Sequence, residues 1–471
     1  MMAKILLSLI VSGALLLVPP GFAQRADPDP KRLGKFQQAL ERDGFDVTPG
    51  SVAVFNWAQD WCESKPGAVH AWYANTEPYL ALQAPKSIEE PSVQQQRFKL
   101  RPDEAIVLIG LTPPPEKYFG FYPYLSTRVI DGQRRALKVS LGDAVNNATI
   151  KTIGPSPFNS LMALIFTPDK GTDARVRAAL RRAGYPQAII NTVVFPASML
   201  NLGHGETADE LDITVRNAMW EKPADGDAYI NDPPLQLFRV TPRFEGPVDP
   251  FPAPPLRIRG TGQTEMDLMN KQGELRQGII DSYAGLHAKD YLAFPSGYEG
   301  YDHLQTFFDL IGDTRDGFFL DAGYVPEFRG PTDEITLEDD EFLMIYGVNH
   351  VATGKATYQS INVYASKLED GKVSIGVVDD RSFGGTAAPY LPPGDPAGEL
   401  MYAYKVSRNC GGEPNCLQLS SEGCPRLTID SDTFLGFMYR MYLEPATKVG
   451  AAMPEILYDR ILKFSPRVPQ P

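Results

Sequence analysis

The chain has 471 residues, a formal net charge of -13 and a pI near 5.0. These values argue against a nucleic-acid partner, because a phosphate backbone needs clustered Lys and Arg side chains, which occur here only in one short helix. Proline (42) and glycine (41) are both more frequent than in an average protein, which favours many turns between short strands.

Residues 1–23 predict a secretory signal peptide. Lys4 precedes an apolar or small stretch from Ile5 to Val18, and small residues follow at cleavage-like spacing. That stretch is short for a bilayer span, although an uncleaved N-terminal anchor stays an alternative. No later stretch approaches the roughly 20 apolar residues of a membrane helix. We therefore expect a secreted or periplasmic, soluble protein with no membrane span after signal removal.

The cysteine pattern also fits export. The four cysteines are Cys62, Cys410, Cys416 and Cys424. An even number in an oxidising compartment predicts two disulfides, and we expect one within the loop 410–424 and one between that loop and Cys62. A metal site is the alternative, but the loop has neither a CxxC pair nor a histidine. The sequence thus predicts no metal and no cofactor.

The first half of the chain reads mainly as strands. After a helix at 30–43, two strands follow in AIVLIGL (105–111) and YFGFYPYLSTR (118–128), and further strands are expected at 136–140 and 161–166. TDARVRAALRRAGYP predicts a helix with Thr172 or Asp173 as its N-cap and Gly184 at its end.

A proline-rich stretch divides the chain. Residues 233–255 contain eight prolines, a spacing that forbids a regular helix. The interspersed leucine and phenylalanine residues predict that this stretch packs along a surface. We place a connector at 233–260, between a first β-rich domain at 24–232 and a second at 261–471.

The second half opens with predicted helices at 264–287 and 301–312. Strands are then expected in EFLMIYGV, ATYQSINVYAS, KVSIGVVD and LMYAYKVS. DTFLGFMYRMYLE, residues 432–444, is predicted to close this half as a helix.

Two stretches, 103–126 and 340–366, share one pattern. Each opens with Asp-Glu, has a glycine six residues later (Gly110, Gly347) and then reaches Tyr-x5-Tyr-x-Ser. We interpret this as a repeated unit, with two independent hairpins as the alternative. The predicted fold class is α+β and β-rich: two tandem similar units of antiparallel sheet, each with a packing helix, plus extra helices at the start of the second half.

The familiar catalytic motifs are absent, so candidate sites come from where the two units differ. The loop GVNHVATGK of the second unit is three residues longer than its counterpart and contains a histidine. Histidine is suited to general acid or base chemistry near neutral pH. The predicted catalytic residues are His350, Asp379, Asp380 and Tyr358. The predicted substrate-binding residues nearby are Arg381, Lys355 and Asn349. A structural loop with an ordinary carboxylate–arginine pair is the alternative.

A tyrosine-rich segment adds a second candidate surface. Tyr298, Tyr301 and His303 are expected to line a face for sugars or flat organic molecules, because tyrosine combines an apolar body with a polar tip. The same spacing also fits aromatic residues of a core.

Two function classes follow from these patterns. The first is an exported enzyme with general acid–base chemistry in the second domain, for which His350→Ala should abolish activity without loss of stability. The second is a non-catalytic exported ligand-binding or scaffold protein built as an internal pseudo-dimer. A small molecule or a glycan is the expected ligand in either case, and no nucleic acid is expected.

Overall fold

The computed structural model describes residues 29–55, 62–63, 77–87, 90–296, 299–300, 304, 310, 312–323, 334–366, 372–422, 424 and 427–467. The predicted signal peptide lies outside the described residues, and so does most of the helix predicted at 301–312. No helix in the described ranges is long and apolar enough to cross a membrane.

The first half forms two sheets, which we call sheets I and II. Its strands are β1 (Phe45–Pro49), β2 (Ser51–Phe55), β3 (Tyr79–Pro85), β4 (Gln94–Gln95), β5 (Ala105–Leu111), β6 (Glu116–Ile130), β7 (Gln133–Ser140), β8 (Val145–Asn146), β9 (Leu161–Thr167), β10 (Ile190–Val194), β11 (Glu210–Trp220) and β12 (Leu235–Pro242). Sheet I has the order β1-β12-β5-β9-β10, and sheet II has the order β2-β3-β11-β6-β7, with β4 on β3 and β8 on β6.

The second half forms sheets III and IV. Its strands are β13 (Leu286–Leu292), β14 (Phe294–Pro295), β15 (Gly317–Gly323), β16 (Phe342–Val348), β17 (Tyr358–Ser366), β18 (Lys372–Asp379), β19 (Met401–Ser407), β20 (Cys416–Gln418), β21 (Phe434–Tyr442) and β22 (Arg460–Pro466). Sheet III has the order β13-β22-β16-β19-β20, and sheet IV has the order β14-β15-β21-β17-β18.

The strand order of the second half repeats that of the first. Position by position, β16 stands where β5 stands, β22 where β12 stands, and β17 and β21 where β6 and β11 stand. The edge strands agree as well, since β10 pairs parallel to β9 and β20 pairs parallel to β19. The fold is thus β-rich and mainly antiparallel, as the sequence predicts.

Five α-helices lie in the described ranges. They are α1 (Pro30–Arg42), α2 (Lys170–Arg182), α3 (Pro223–Asn231), α4 (Met269–Ser282) and α5 (Ala397–Leu400). Asp169, rather than Thr172 or Asp173, caps α2, because its carboxylate accepts the backbone N–H of Thr172 at 2.6 Å. The predicted helix at 264–287 is shorter than expected: a 3-10 turn precedes it, and the chain from Leu286 is strand β13.

Alternate side chains of a strand point to opposite faces of its sheet and belong to different hydrophobic cores. In β5, Ile106 and Leu108 pack towards sheet II, whereas Val107 and Ile109 pack under α1 and α2. In the same way, alternate residues of β16 face sheet IV and α4. A further cluster of tyrosines joins β6 of sheet II to β17 and β21 of sheet IV. The layers therefore run helices, sheet I, sheet II, sheet IV, sheet III and helix.

Within the segment 432–444, residues Phe434–Tyr442 form strand β21, so its prediction as a helix is wrong. It pairs with both β15 and β17 in the middle of sheet IV. Both of its faces are buried, so large apolar residues occur at nearly every position and hide the two-residue period of a strand. The helix that packs on sheet III is instead α4, from the start of the second half.

The proline-rich segment 233–260 does not begin as an irregular connector. It opens with β12, which pairs with β1 and β5 inside sheet I, so this sheet includes residues beyond 232. The chain after β12 lacks helices and strands, but it is held in place. The backbone N–H of Arg257 donates to Asp143 at 2.7 Å, and Arg259 Nη1 donates to the Gly317 carbonyl at 3.0 Å.

Both expected disulfides are present. Cys410 pairs with Cys416 across a short loop, and Cys62 of the first half pairs with Cys424 of the second, with Cα atoms 4.7 Å apart. One bond lies within the loop and one ties the loop to Cys62, as expected, whereas the sequence left open which loop cysteines pair.

Candidate functional site

His350 lies in the predicted loop, but no part of its side chain reaches solvent. Its Nδ1 is 2.9 Å from both carboxylate oxygens of Glu265, and its Nε2 is 3.4 Å from Asp459 Oδ2. Thr353 Oγ1 and the Leu457 N–H donate to the same Glu265 carboxylate at 2.5 and 3.0 Å. Both ring nitrogens therefore face carboxylates inside the second half.

These contacts keep the imidazole charged. Burial by itself lowers the pKa of His350, but the charges and hydrogen bonds of Glu265 and Asp459 outweigh it and raise the pKa to about 10. Burial likewise raises the pKa of Glu265, and His350 with its other donors reverses this and lowers it. An enclosed imidazole whose two nitrogens both face carboxylates has no free nitrogen for a substrate, so its geometry favours a structural role.

Gly347 creates the space for this ion cluster. A Cβ at residue 347 would lie 2.2 Å from Asp459 Oδ1. The equivalent glycine of the first unit, Gly110, is needed for a similar close approach, because a Cβ there would lie 2.1 Å from the Pro234 carbonyl. The repeated glycine of the sequence pattern thus marks where a neighbouring strand begins.

The neighbouring loop residues also make internal contacts. Lys355 is buried, and its Nζ donates to Glu444 at 2.9 Å and to Glu455 at 2.5 Å. Asn349 Oδ1 accepts the backbone N–H of Ala352 at 3.2 Å and so closes the turn.

Asp379 is the last residue of β18, and Asp380 and Arg381 follow it. Arg381 folds back onto Asp379, with Nη2 and Oδ2 2.6 Å apart. Burial raises the pKa of Asp380, which accepts the Gln359 N–H at 3.2 Å and lies 3.5 Å from Lys117 Nζ. Tyr358 is buried between sheets II and IV.

The predicted second-half residues therefore do not form one open site. Gln359 links His350 to Asp380, since its Oε1 accepts the His350 N–H at 2.9 Å and its own N–H donates to Asp380. Tyr298, Tyr301 and His303 lie outside the described residues, so their predicted role stays a prediction.

A different histidine borders an open cleft. The cleft has a volume of about 410 Å³ and lies in the first half. It is lined by Arg101, Pro102, Asp103, Gly203, His204, Glu245, Gly246 and Val248. The His204 side chain is 38% exposed, in contrast to the fully enclosed His350.

His204 contacts a buried cluster of charged side chains. Its Nε2 lies 3.1 Å from Glu104 Oε2 and 3.0 Å from Arg239 Nη2. Glu104 also accepts two hydrogen bonds from Arg239, at 3.0 and 2.7 Å, and one from Thr241. Burial raises the pKa of Glu104, but the bonds from His204 and Arg239 reverse this and hold it well below its usual range.

This arrangement suits both tautomers of the His204 ring. A protonated Nε2 donates to Glu104, and an unprotonated Nε2 accepts from Arg239. In the first case Nδ1 is an acceptor, and in the second it carries the proton. The ring can thus meet a ligand group of either polarity, or exchange a proton with it.

The second half has a corresponding ion pair that is partly exposed and lacks the histidine. Register places Arg239 beside Ile106 and Lys463 beside Leu343, which are equivalent positions of β5 and β16. Lys463 Nζ bonds to Glu341 at 2.6 Å, as Arg239 bonds to Glu104. The repeated Asp-Glu of the sequence indicates the positions of these two glutamates. The contact between Glu104 and His204 could not be predicted, because the two residues are 100 positions apart in the sequence.

Comparison with known proteins assigns no family. No protein-family model and no curated protein matches the chain. An uncharacterized protein from Burkholderia cenocepacia is 13% identical, with a TM-score of 0.39 over 93% of this chain and 91% of that chain. A CBM22-1-CBM22-2 tandem domain from Paenibacillus barcinonensis Xyn10C is 7% identical, with a TM-score of 0.14 over 90% and 94%. Similarities this low assign neither a fold family nor a function.

Within the described residues, no group of three or more His, Cys, Asp or Glu side chains is placed to hold a metal ion.

Proposed function

We propose that the chain is an exported ligand-binding protein, built as an internal pseudo-dimer, that takes a small polar ligand in the His204 cleft. The observation that carries the proposal is the combination of an open cleft with a histidine fixed to a buried carboxylate. Concave sites with a few oriented polar groups are the usual form of small-molecule sites.

The lining indicates a ligand rich in hydrogen-bond donors. Asp103 and Glu245 offer carboxylates, and His204 offers Nδ1 in one tautomer. The guanidinium of Arg101 donates to both carboxylate oxygens of Asp103, at 2.9 and 2.6 Å, and each oxygen keeps a lone pair for a donor of the ligand. A small molecule with several hydroxyl groups, such as a sugar, satisfies these acceptors.

The matching strand orders support the pseudo-dimer. Two sheets in each half have the same sequence of strands, and the repeated glycine and Asp-Glu positions have equivalent surroundings in both halves. The second half then serves as a support for the first, since its own histidine is enclosed. The two disulfides support export, because such bonds persist in oxidising compartments.

General acid–base catalysis at His204 is the second candidate function. It is favoured by the two opposed partners of Nε2, which allow the ring to hold or release a proton at Nδ1. Under this alternative the cleft ligand is a substrate, and the reaction uses the first half rather than His350.

A calorimetric screen of sugars and polyols tests the proposal. For a ligand that binds, His204→Gln is expected to weaken affinity at least about tenfold, because it removes an oriented hydrogen-bonding group. His287→Gln, a change of an exposed histidine on β13, is the matched control and should leave affinity unchanged. Equal affinity of the wild type and His204→Gln would contradict the cleft as the site.

Mass spectrometry of the same ligands after incubation separates the two candidates. Recovery of unchanged ligand supports binding alone. Conversion by the wild type and the His287→Gln variant, but not by His204→Gln, supports catalysis.

A further inference from the structure

The charged side chains at the cleft of the first half do not balance. The lining holds two carboxylates, Asp103 and Glu245, and one guanidinium, Arg101. Arg101 donates to both carboxylate oxygens of Asp103, so these two charges form an ion pair. Glu104 and Arg239 are fully buried and form a second pair, with 2.7 Å between Glu104 Oε2 and Arg239 Nη2. The charge that remains is that of Glu245.

Glu245 is exposed and has no partner of its own. Among the described residues, its carboxylate takes part in no hydrogen bond and no ion pair. The pKa of Arg101 is raised chiefly by its hydrogen bonds to Asp103, and the charge of Glu245 contributes less, so Arg101 is committed to Asp103. With a neutral His204 ring, the three carboxylates and two guanidinium groups therefore leave one net negative charge at the cleft.

A ligand that enters the cleft meets this charge directly. Charges on a concave surface act more strongly on a bound group than charges on an open surface, because the low-dielectric walls exclude water. An anionic ligand would bring like charges together at Glu245, and a neutral ligand would leave that charge uncompensated. The complement of the cleft is therefore a ligand with one positive charge.

The cleft also offers apolar contacts. Val248 lines the cleft and is 48% exposed, and the exposed ring of Pro102 belongs to the same lining. The C–H groups of a sugar ring can pack on such side chains while its hydroxyl groups bond to the polar groups around them. The lining thus suits an organic ring with a cationic group better than a hydrated inorganic cation.

We propose that the ligand of the cleft is an amino sugar or a similar hydroxylated amine, and that Glu245 is the specificity-determining residue that binds its ammonium group. An ammonium group supplies three N–H donors and the missing positive charge. The hydroxyl groups of the same ligand then bond to Asp103 and His204. This inference rests on the proposed sugar-binding function and narrows it to a cationic ligand.

Matched pairs of sugars test the inference by calorimetry. Glucosamine is compared with glucose, and galactosamine with galactose, at a pH that keeps the amines protonated. The amine of a pair is expected to bind about fivefold more tightly, because its ammonium group forms a charged contact with an exposed carboxylate. N-Acetylglucosamine, which keeps the nitrogen without its charge, should lack this advantage. Added sodium chloride should reduce the advantage, since salt screens charges near the surface.

Glu245→Gln is the decisive variant because it keeps the length of the side chain and removes only its charge. In this variant the affinities for glucosamine and glucose should become equal, and the effect of salt on their ratio should disappear. Glu399→Gln, a change of an exposed glutamate on α5, is the matched control and should keep the preference of the wild type.

The outcomes separate this inference from the function on which it rests. Equal binding of the amine and the neutral sugar by the wild type would overturn the inference and leave the sugar site in place. A preference that persists in Glu245→Gln would remove the assigned role of Glu245. Absence of binding for every sugar of both kinds would overturn the proposed function and the inference together.

Discussion

His204 and His350 are alike in chemistry and opposite in setting. Each ring contacts a buried glutamate, Glu104 in the first half and Glu265 in the second. His350 also meets Asp459 on its other side and is fully enclosed, whereas His204 meets Arg239 and opens onto a cleft. Because the second neighbour is an anion in one case and a cation in the other, one ring is held charged and the other retains a choice of tautomer.

The difference shows that residue type alone does not mark a functional histidine. Because His350 is fully enclosed and has a second carboxylate beside it, it is the centre of an ion cluster. This cluster joins Glu265, shortly before α4, to Asp459, directly before β22. An exposed ring edge leaves His204 able to contact other molecules. The following variants probe this contrast, from the largest expected effect to the smallest.

His350→Ala should have the largest effect on stability. It leaves the carboxylates of Glu265 and Asp459 buried without their cation, which costs about 3–5 kcal/mol of the free energy of unfolding. Urea denaturation measures this change, with His287→Ala as an exposed control. A melting temperature within a few degrees of the wild type, as the catalytic hypothesis for His350 requires, would refute the structural role.

The pH dependence of stability should also come from His350. Its pKa rises from 6.5 to about 10 on folding, so the folded state binds the extra proton between these values. Stability is therefore complete below pH 6.5 and falls by up to about 1.4 kcal/mol per pH unit as pH rises towards 10. Denaturation between pH 7 and 9, below the titration range of the tyrosines, measures this slope.

The titration of Asp316 lies below the pH range in which His350 affects stability. Burial raises its pKa to about 6, so its own loss of stability with rising pH is complete before the His350 range begins. Glu116 adds a slope of the same sign, because burial raises its pKa well above its usual range. The slope should therefore be smaller in His350→Gln than in the wild type and unchanged in His204→Gln. An equal slope in the wild type and in His350→Gln would assign it to other groups.

Tyr402→Phe should have an intermediate effect. The Tyr402 hydroxyl donates to Asp459, the second carboxylate beside His350. Its removal is expected to cost about 1–2 kcal/mol in urea denaturation, since a buried charged acceptor loses a donor. Tyr404→Phe on the same strand is the control, and an equal change in both variants would show that only ring packing was affected.

His204→Ala should have the smallest effect on stability. An exposed side chain away from the core contributes roughly 0.5 kcal/mol or less, and Glu104 keeps Arg239 and Thr241 as partners. A loss comparable to that of His350→Ala would remove the contrast between the two histidines.

Much of the framework could be read from the sequence because it follows local rules. The repeated glycine has a steric cause, Gly110 beside Pro234 and Gly347 beside Asp459. Short continuous apolar runs located β5 and β16, and the arginine-rich segment before Gly184 located α2. β21 was missed because burial on both faces erased the period on which strand prediction depends.

The sites could not be read in the same way, since they depend on contacts between distant segments. Nothing near Arg101 or Glu245 in the sequence indicates that the two residues line one cleft. His350 was noticed because its loop is longer than its counterpart, but loop length carries no information on burial. Glu265, which decides the state of His350, lies 85 residues earlier in the chain.

The bond between Cys62 and Cys424 joins positions 362 residues apart and so makes most of the chain a covalent ring. The irregular stretch after β12 lies within that ring. A single protease cut there leaves one molecule with two chains, which separate on a denaturing gel only after reduction. The ring also closes only after residue 424 has been made, so a prematurely ended chain exposes a lone Cys62 thiol, a chemical label that distinguishes unfinished molecules from complete ones.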